Sequence, residues 1–103
     1  MTKLLILYNQ PRDPAAFDRY FFATHVPLVQ KVPRLRTYLV SRETPRTLAP
    51  GPGAHLVAEL HFDSRGDLDA ALVSPQGEAA KADLQNFADG GATVLAFETK
   101  TVG

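Results

Sequence analysis

One histidine stands inside an apolar stretch of the chain, YFFATHVPLVQKVPRL at residues 20–35. His25 follows Phe21 by four residues, so a helix would place both side chains on one face. Imidazole has an unperturbed pKa of about 6.5 and can act as an acid or a base near neutral pH. Pro27 should break or kink this helix near residues 23–26, because its ring clashes with the carbonyl four residues earlier. His25 is therefore predicted either to be a general acid or base at the mouth of an apolar pocket or to bond the loose helix end.

Two tyrosines are candidates for contacting a substrate oxygen. The phenol of Tyr38, in a predicted strand, could hold a substrate carbonyl or a developing enolate oxygen. Tyr8, in the first predicted strand, could do the same. Each could instead be a strand tyrosine that buries its ring and leaves its hydroxyl at the edge of the core.

Acidic and histidine side chains supply the other candidates. Asp83 borders the apolar stripe of the last predicted helix and could either partner His25 across the core or be an ordinary solvated carboxylate. His55, Glu59 and His61 alternate along one predicted strand face, and His61 is the second candidate for a catalytic contact. Glu59 and His61 would stand about 6.6 Å apart and could reach one metal ion, but two ligands are too few for a closed zinc site. Polar contacts are expected there in place of a metal.

A short apolar run predicts a buried strand at residues 3–9, alternation of side chains predicts strands at 34–43 and 54–63, and residues 92–101 are predicted to form the last strand. The segment between the second and third of these strands, TPRTLAPGPG at residues 44–53, has three prolines and two glycines and is predicted to be a loop.

Capping residues predict three helical segments between the strands. The first begins after Asp13 and is ended by Pro33. The second is capped by Ser64 and the third by Ser74, following the preference of helix starts for short polar side chains. The second runs through Val73; the third is stopped by Gly90 and Gly91, with a buried stripe of Ala80, Leu84 and Phe87.

This order of elements is that of the split β-α-β ferredoxin-like fold, an α+β fold with a four-stranded antiparallel sheet and helices on one face. The other face must meet water or a partner. The first and last strands are apolar on both alternating sets, which would leave a large apolar surface on a monomer. A homodimer with two sheets packed face to face is therefore predicted.

Composition narrows the classes of function. The 103 residues suit one domain, and 11 Lys and Arg balance 11 Asp and Glu, so nucleic acid is not an expected partner. The absence of cysteine excludes disulfides, thiolate zinc sites and cysteine nucleophiles. The apolar run near the start is too short for an export signal or a membrane span. A cytoplasmic protein without membrane contact is expected.

Two long segments resemble a known family. They are PRDPAAFDRYFFATHVPLVQKVPRLRTYLVS, with its His-x-Pro, and AELHFDSRGDLDAALVSPQGEAAKADLQNFAD, with its Ser-Pro-x-Gly. Together they resemble the EthD-like family of the dimeric α+β barrel superfamily, in the same order and spacing. The family pattern also carries a histidine at the place of His25. Where this chain has Pro33-Arg34, the family usually has Pro-Gly. This difference affects only the expected conformation of the local turn.

The resemblance implies a barrel-forming homodimer with a cavity between sheet and helices in each subunit. It also implies catabolism or conversion of small molecules without a cofactor. Some relatives resemble isomerases or dehydratases of small lactones and polyketide-derived aromatics, and related barrels include cofactor-free monooxygenases. Others are encoded with ether-degradation enzymes and have no defined reaction.

The hypothesis for this chain is a small cofactor-independent enzyme that moves a proton on a largely apolar oxygenated or aromatic metabolite. His25 would be the acid or base and Tyr38 the polar anchor. The expected substrate contacts are Tyr8, His61, Asp83, Phe21 and Phe87. The alternatives are a binding or accessory protein for a hydrophobic metabolite and a cofactor-free monooxygenase.

Overall fold

The computed structural model describes residues 1–103, and its strands and helices follow the predicted order. The elements are β1 (Thr2–Tyr8), α1 (Pro14–Tyr20), a π turn (Phe21–His25), α2 (Val26–Gln30), β2 (Thr37–Val40), β3 (Leu56–Phe62), α3 (Arg65–Val73), α4 (Pro75–Asp83), a 3-10 turn (Leu84–Asn86) and β4 (Ala92–Glu98). The strands form one antiparallel sheet in the order β2-β3-β1-β4. The predicted α+β, ferredoxin-like fold class is confirmed. None of the helices has the length and apolar character needed to span a bilayer.

Alternation along the central strands gives the sheet a helix side and an open face. Leu4 and Ile6 of β1 are buried on the helix side, in register with Leu60 and Ala58 of β3. Burying a large apolar side chain contributes about 1.5–3 kcal/mol, so this layer stabilises the fold strongly. The rest of the core comprises Tyr8, Phe17, Phe21, Val29, Val32, Leu56, Phe62, Leu68, Ala71 and Phe87.

The first helix departs from regular α-helical geometry just before Pro27, in the region where the sequence predicts a break or kink. It widens into the π turn, which is closed by a hydrogen bond from the Val26 N–H to the Phe21 carbonyl five residues back. A regular α-helix would next need an N–H from residue 27, and proline has none. Because the wider turn shifts the bonding pattern upstream, Pro27 lies in the first turn of α2 and the helix continues.

Side-chain caps begin the helices at the predicted places. Each capping oxygen accepts a hydrogen bond from the backbone N–H three residues later, at 3.1 Å for Asp13, 3.1 Å for Ser64 and 3.0 Å for Ser74. A cap of this kind is typically worth about 1 kcal/mol. The predicted starts of all three helical segments are confirmed.

The second strand is shorter than predicted at both ends, and the chain before it passes through a left-handed residue. The strand covers Thr37–Val40 instead of residues 34–43. Arg34 has a φ of 66°, a conformation that costs about 1–2 kcal/mol for a residue with a Cβ. The glycine of the family pattern would adopt it without that cost. The Arg34 guanidinium donates to Asp67 Oδ1 at 2.7 Å, which ties the turn to α3.

The helix α4 ends at Asp83, so the prediction that Gly90 and Gly91 stop it is wrong. The last turn tightens into the 3-10 turn, and the two glycines lie beyond it in the approach to β4. A Cβ at Gly90 would lie 2.4 Å from the Gln10 carbonyl oxygen, and Gly91 has a φ of 83°. These glycines are needed for the tight passage into the last strand.

The open face of the sheet is largely apolar, as the alternation predicts. Leu39, Leu95 and Phe97 are 49%, 48% and 44% exposed there. The registers place further apolar or small residues on the same face, together with three charged or polar ones: Leu5, Leu7, Thr37, Val57 and Thr93, and Lys3, Glu59 and His61.

Candidate active site

A cavity of about 390 Å³ lies between the helix side of the sheet and the helices. Small-molecule sites usually span roughly 300–1,000 Å³, so this volume suits a compact ligand. His25 and Lys81 are the polar residues of the lining; the others are Leu4, Ile6, Val29, Val32, Leu60, Phe62, Leu72, Ala80, Leu84 and Val94. Val94 is 50% exposed and the Lys81 side chain 49%, so the opening lies between β4 and α4.

His25 forms a buried pair with Asp83 at the wall of this cavity. The His25 Nδ1 lies 3.0 Å from Asp83 Oδ2, and the two side chains are only 3% and 7% exposed. The π turn supplies the histidine, and the end of α4 supplies the aspartate. Of the two sequence interpretations of Asp83, the structure therefore supports the partner of His25 and not the solvated carboxylate.

Two more donors hold the Asp83 carboxyl group in place. Tyr20 Oη donates to Asp83 Oδ1 at 2.5 Å, and Asn86 Nδ2 donates to the same oxygen at 3.0 Å. Burial raises the pKa of Asp83, but the hydrogen bonds from Tyr20, Asn86 and His25 outweigh it and hold the pKa below its usual value. Asp83 is therefore a carboxylate at neutral pH.

The π turn explains how Tyr20 and His25 reach the same carboxylate. In an α-helix, residues five apart are separated by about 140° around the axis. A π turn joins residues five apart by its hydrogen bonds and so brings them onto one side. The local widening that accommodates Pro27 thus also assembles the Asp83 site.

The hydrogen bond to Asp83 fixes which ring nitrogen of His25 carries the proton. A carboxylate can only accept, so Nδ1 holds the hydrogen and Nε2 keeps a lone pair. Burial lowers the pKa of His25, and the hydrogen bond and charge of Asp83 offset this only in part, so the ring is neutral at neutral pH. Among the fully buried side-chain N and O atoms, only the Tyr8 hydroxyl lacks a hydrogen-bond partner. The Nε2 atom of His25 also lacks a partner, so it is not fully buried. Its lone pair is therefore available as a base.

Two phenylalanines pack against the His25 ring. The ring centroid of Phe87 lies 4.6 Å from that of His25, and the centroid of Phe21 lies 5.6 Å away. Both were expected to contact the substrate, but neither belongs to the cavity lining. Their observed contacts restrict the orientation of the imidazole, and a direct substrate contact stays a prediction.

Comparisons with known proteins agree with this fold and with the sequence pattern. The EthD domain family model matches residues 9–91. An uncharacterized 11.0 kDa protein in the thcB-thcC intergenic region of Rhodococcus erythropolis is 40% identical over 102 residues, 99% of this chain and 98% of that protein. The chain belongs to the EthD family.

Solved structures place this EthD protein among ferredoxin-like folds. The crystal structure of an EthD family protein from Bacillus halodurans is similar with a TM-score of 0.85 and 34% identity, covering 97% of this chain and 99% of that chain. A dimeric ferredoxin-like protein of unknown function from Thermobifida fusca is similar with a TM-score of 0.69 and 15% identity, covering 95% and 90%. The second likeness shows the fold alone.

Tyr38 of the EthD protein lies on the helix side of the sheet but does not line the cavity. It is half-buried and packs against the core, and the register places it beside Leu60. Burial raises the pKa of the Tyr38 phenol, so it stays protonated across the physiological range. Its proposed role as a polar anchor stays a prediction.

Tyr8 is buried more deeply than a substrate contact requires. It is 1% exposed and touches Phe17 and Phe21 edge to face, and its hydroxyl has no hydrogen-bond partner. Burial raises the pKa of Tyr8, and the nearby Tyr38 and Asp83 raise it further. Tyr8 is absent from the cavity lining.

Replacing Tyr8 by Phe should leave the free energy of unfolding unchanged or raise it by about 1–3 kcal/mol, because an unpaired buried hydroxyl costs about that much. Replacing Tyr20 by Phe is the matched control, since it removes a hydroxyl that does have a charged partner, and it should lower stability by about 1–3 kcal/mol. Urea unfolding measures both. If Tyr8→Phe destabilises the protein as much as Tyr20→Phe, the Tyr8 hydroxyl has a partner inside the fold.

The other two histidines do not join the His25 site. His55 precedes β3 and turns toward α1, where its Nε2 lies 2.8 Å from Asp18 Oδ1, so its predicted place on one strand face with Glu59 and His61 is wrong. His61 lies on the open face with its Nε2 3.1 Å from Glu59 Oε1, as the alternation predicts. The sheet separates His61 from the cavity, so the expectation that it contacts the same substrate as His25 is wrong for this cavity.

Sequence reasoning missed Tyr20, Asn86 and Lys81. Tyr20 and His25 appear to lie on different helix faces if regular α-helical spacing is assumed. Asn86 follows Asp83 by three residues, and that spacing near a helix end was the available signal for a contact between them. From its sequence position, Lys81 is indistinguishable from an ordinary solvated helix lysine. Only the folded structure shows that it borders the cavity.

Proposed function

We propose that this EthD protein is a cofactor-independent enzyme that transfers a proton on a compact, largely apolar, oxygenated metabolite. The observation that carries the proposal is the buried Asp83–His25 pair, which leaves Nε2 of a neutral imidazole beside an apolar cavity. Perturbed ionisable groups at a cavity are characteristic of catalytic sites.

Each residue of the pair has a distinct chemical task. Nε2 of His25 would accept a proton from a carbon next to a substrate carbonyl, and the C–H electron pair would move to form an enolate. Asp83 would stabilise the imidazolium that results, as an oriented carboxylate does in other acid–base sites. Returning the proton to another carbon gives isomerisation, and passing it to a hydroxyl group that leaves the neighbouring carbon as water gives dehydration.

Hydrogen exchange with solvent tests the reaction without knowledge of the natural substrate. In D₂O, 2-tetralone and 2-indanone, two compact apolar ketones, should incorporate deuterium next to the carbonyl faster with the protein than with buffer alone. Proton NMR follows the loss of the C–H signal. Binding of these ketones without faster exchange would contradict catalysis and would favour the alternative, a binding protein that uses the same cavity.

Cofactor-free oxygenation is the remaining alternative from the sequence. It requires a substrate that donates an electron to oxygen, and the described lining contains no feature specific to that chemistry. Catabolism and a cytoplasmic location likewise rest on the sequence and the family resemblance. They stay predictions.

We also propose that two copies of the chain pair through the open face. Leu39, Leu95 and Phe97 are each nearly half exposed on one surface, and a contiguous apolar patch is uncommon on a monomer. The similar Thermobifida fusca protein is described as dimeric. The His25 cavity lies on the opposite side of the sheet, so pairing through this face leaves it open.

Replacing Phe97 by Lys should convert the dimer into a monomer, because a lysine buried between two apolar sheets would lose its hydration. Sedimentation velocity should give about twice the 11.2 kDa chain mass for the unaltered protein and the chain mass for the variant. Val73→Lys is the matched control, since Val73 is 75% exposed on α3, away from the open face. A monomeric unaltered protein at micromolar concentration, or equal loss of dimer in both variants, would contradict pairing through this face.

A further inference from the structure

The cavity contains a single cationic side chain, Lys81, beside the base that we have described. Lys81 lines the cavity together with Ala80 and Leu84 of the same helical segment. Its side chain is 49% exposed, and a lysine in such a position can lay its aliphatic stem along an apolar wall while its ammonium group stays in water. The remaining lining residues apart from His25 are hydrophobic.

Removal of a proton from a substrate inside such a cavity leaves a negative charge that must be stabilised. When a neutral base takes a proton from carbon, the negative charge moves to the substrate oxygen, and an unpaired anion in apolar surroundings is very unfavourable. A positioned cation or hydrogen-bond donor is the usual means of stabilising a developing oxyanion. Lys81 is the group in the lining that can do this.

The resting contact of Lys81 leaves it able to move. Its Nζ lies 2.9 Å from Glu78 Oε1, three residues earlier on the exposed side of α4. A solvent-exposed pair of this kind is worth only about 0.2–1 kcal/mol. A lysine side chain has several rotatable bonds, so exchanging Glu78 for a substrate oxygen at the cavity mouth costs little.

We infer that Lys81 is a catalytic residue that binds the oxyanion of the substrate, and that the substrate class is apolar carbonyl compounds with an acidic C–H next to the carbonyl. This inference rests on the proposed function. In the reaction, the C–H bond breaks and its proton goes to Nε2 of His25. The electron pair forms the carbon–carbon double bond of the enolate, and the carbonyl π electrons pass to the oxygen beside the Lys81 ammonium.

A pair of probes of similar size tests the preference for an oxyanion. 4-Nitrophenolate carries a delocalised negative oxygen, as an enolate does, and 4-nitrotoluene is its neutral counterpart. The unaltered protein should bind the phenolate more tightly, and Lys81→Met should weaken phenolate binding about tenfold, the value expected for one lost charged contact. Binding of 4-nitrotoluene should change less than twofold. Absorbance or NMR titration measures both.

Lys31→Met is the matched control, because Lys31 is an exposed lysine outside the lining and its loss changes the net charge equally. It should leave both affinities unchanged. Equal weakening of both probes by Lys81→Met, or equal weakening of phenolate binding by both substitutions, would overturn the role of Lys81. Ketone exchange that persists in that case would leave the proposed proton transfer standing. If neither probe binds the unaltered protein, the role of Lys81 fails. If 2-tetralone and 2-indanone also show no faster exchange, the proposed function fails as well.

Discussion

Replacing His25 by Gln should lower the rate of deuterium exchange on 2-tetralone by about 10²–10⁴-fold, the contribution typical of one general base. Glutamine preserves much of the side-chain size and can still face Asp83 with an amide N–H, but it has no basic nitrogen. The variant should therefore remain folded and keep its affinity for the ketone. The rate and the affinity are measured separately, so loss of binding is not mistaken for loss of catalysis.

The pH profile of the unaltered protein should show the same base. Exchange requires neutral His25, so the rate should rise with pH and level off once the ring is deprotonated. Burial lowers the pKa of His25. The pH at which the rate is half-maximal should therefore lie below the usual histidine pKa of about 6.5. A half-maximal rate above that pH would contradict the assignment.

His55→Gln provides the control for His25→Gln. His55 is also buried and also bonded to an aspartate, with its Nε2 2.8 Å from Asp18 Oδ1, but it does not line the cavity. Its replacement should leave the exchange rate within about twofold of the original, because it removes no group from the cavity lining. Equal losses in both variants would indicate a general structural effect and not catalysis by His25.

Replacing Asp83 by Asn should also reduce exchange by about 10²–10⁴-fold, because it inverts the histidine tautomer and removes the base. Tyr20 and Asn86 both donate to Oδ1, so the amide oxygen of the new side chain would take that position. Its NH₂ group would then face His25 Nδ1, which must accept. The proton would move to Nε2, where it blocks base catalysis.

The Asp83→Asn substitution should also change stability and its dependence on pH. Loss of a charged acceptor for three donors should lower the free energy of unfolding by about 1–3 kcal/mol near neutral pH. The pKa of Asp83 is below its usual value in the folded protein. The carboxylate therefore stabilises the fold above the unfolded pKa of about 3.9, and that contribution is lost as the pH falls toward the folded pKa.

As the pH is lowered from about 4 toward the folded pKa of Asp83, the free energy of unfolding should therefore fall less in the variant than in the original protein. Urea unfolding at several pH values measures this difference. Asp18→Asn removes the partner of His55 and serves as the matched control. Unchanged exchange in Asp83→Asn would show that His25 does not depend on this carboxylate for its tautomer.

Much of the fold could be predicted because strand alternation and helix caps are local signals. Leu4 and Ile6 face the core where their spacing places them, and Ser64 and Ser74 cap the predicted helices. The departures arise where backbone geometry is unusual for the residue types. Arg34 adopts a left-handed φ that its side chain disfavours, and β2 begins only at Thr37.

The site was predictable in part. His25 lies on the buried helix face that its spacing from Phe21 predicts, but two features depended on contacts that spacing does not encode. The burial of Asp83 follows from packing against a helix 58 residues earlier in the chain. The contact of Tyr20 with Asp83 follows from the π turn, which regular helical spacing does not anticipate.

The sheet separates two surfaces that could evolve under different demands. All the groups that we assign to chemistry lie in the helical layer on one side of the sheet, whereas the apolar residues proposed for pairing project from the open face. Substitutions at Leu95 or Phe97 could therefore change how subunits associate without reshaping the chamber, and substitutions at Val29 or Leu84 could admit a different metabolite without disturbing association. Because the sheet separates the two surfaces, proteins with this fold can change their chemistry and their quaternary structure independently.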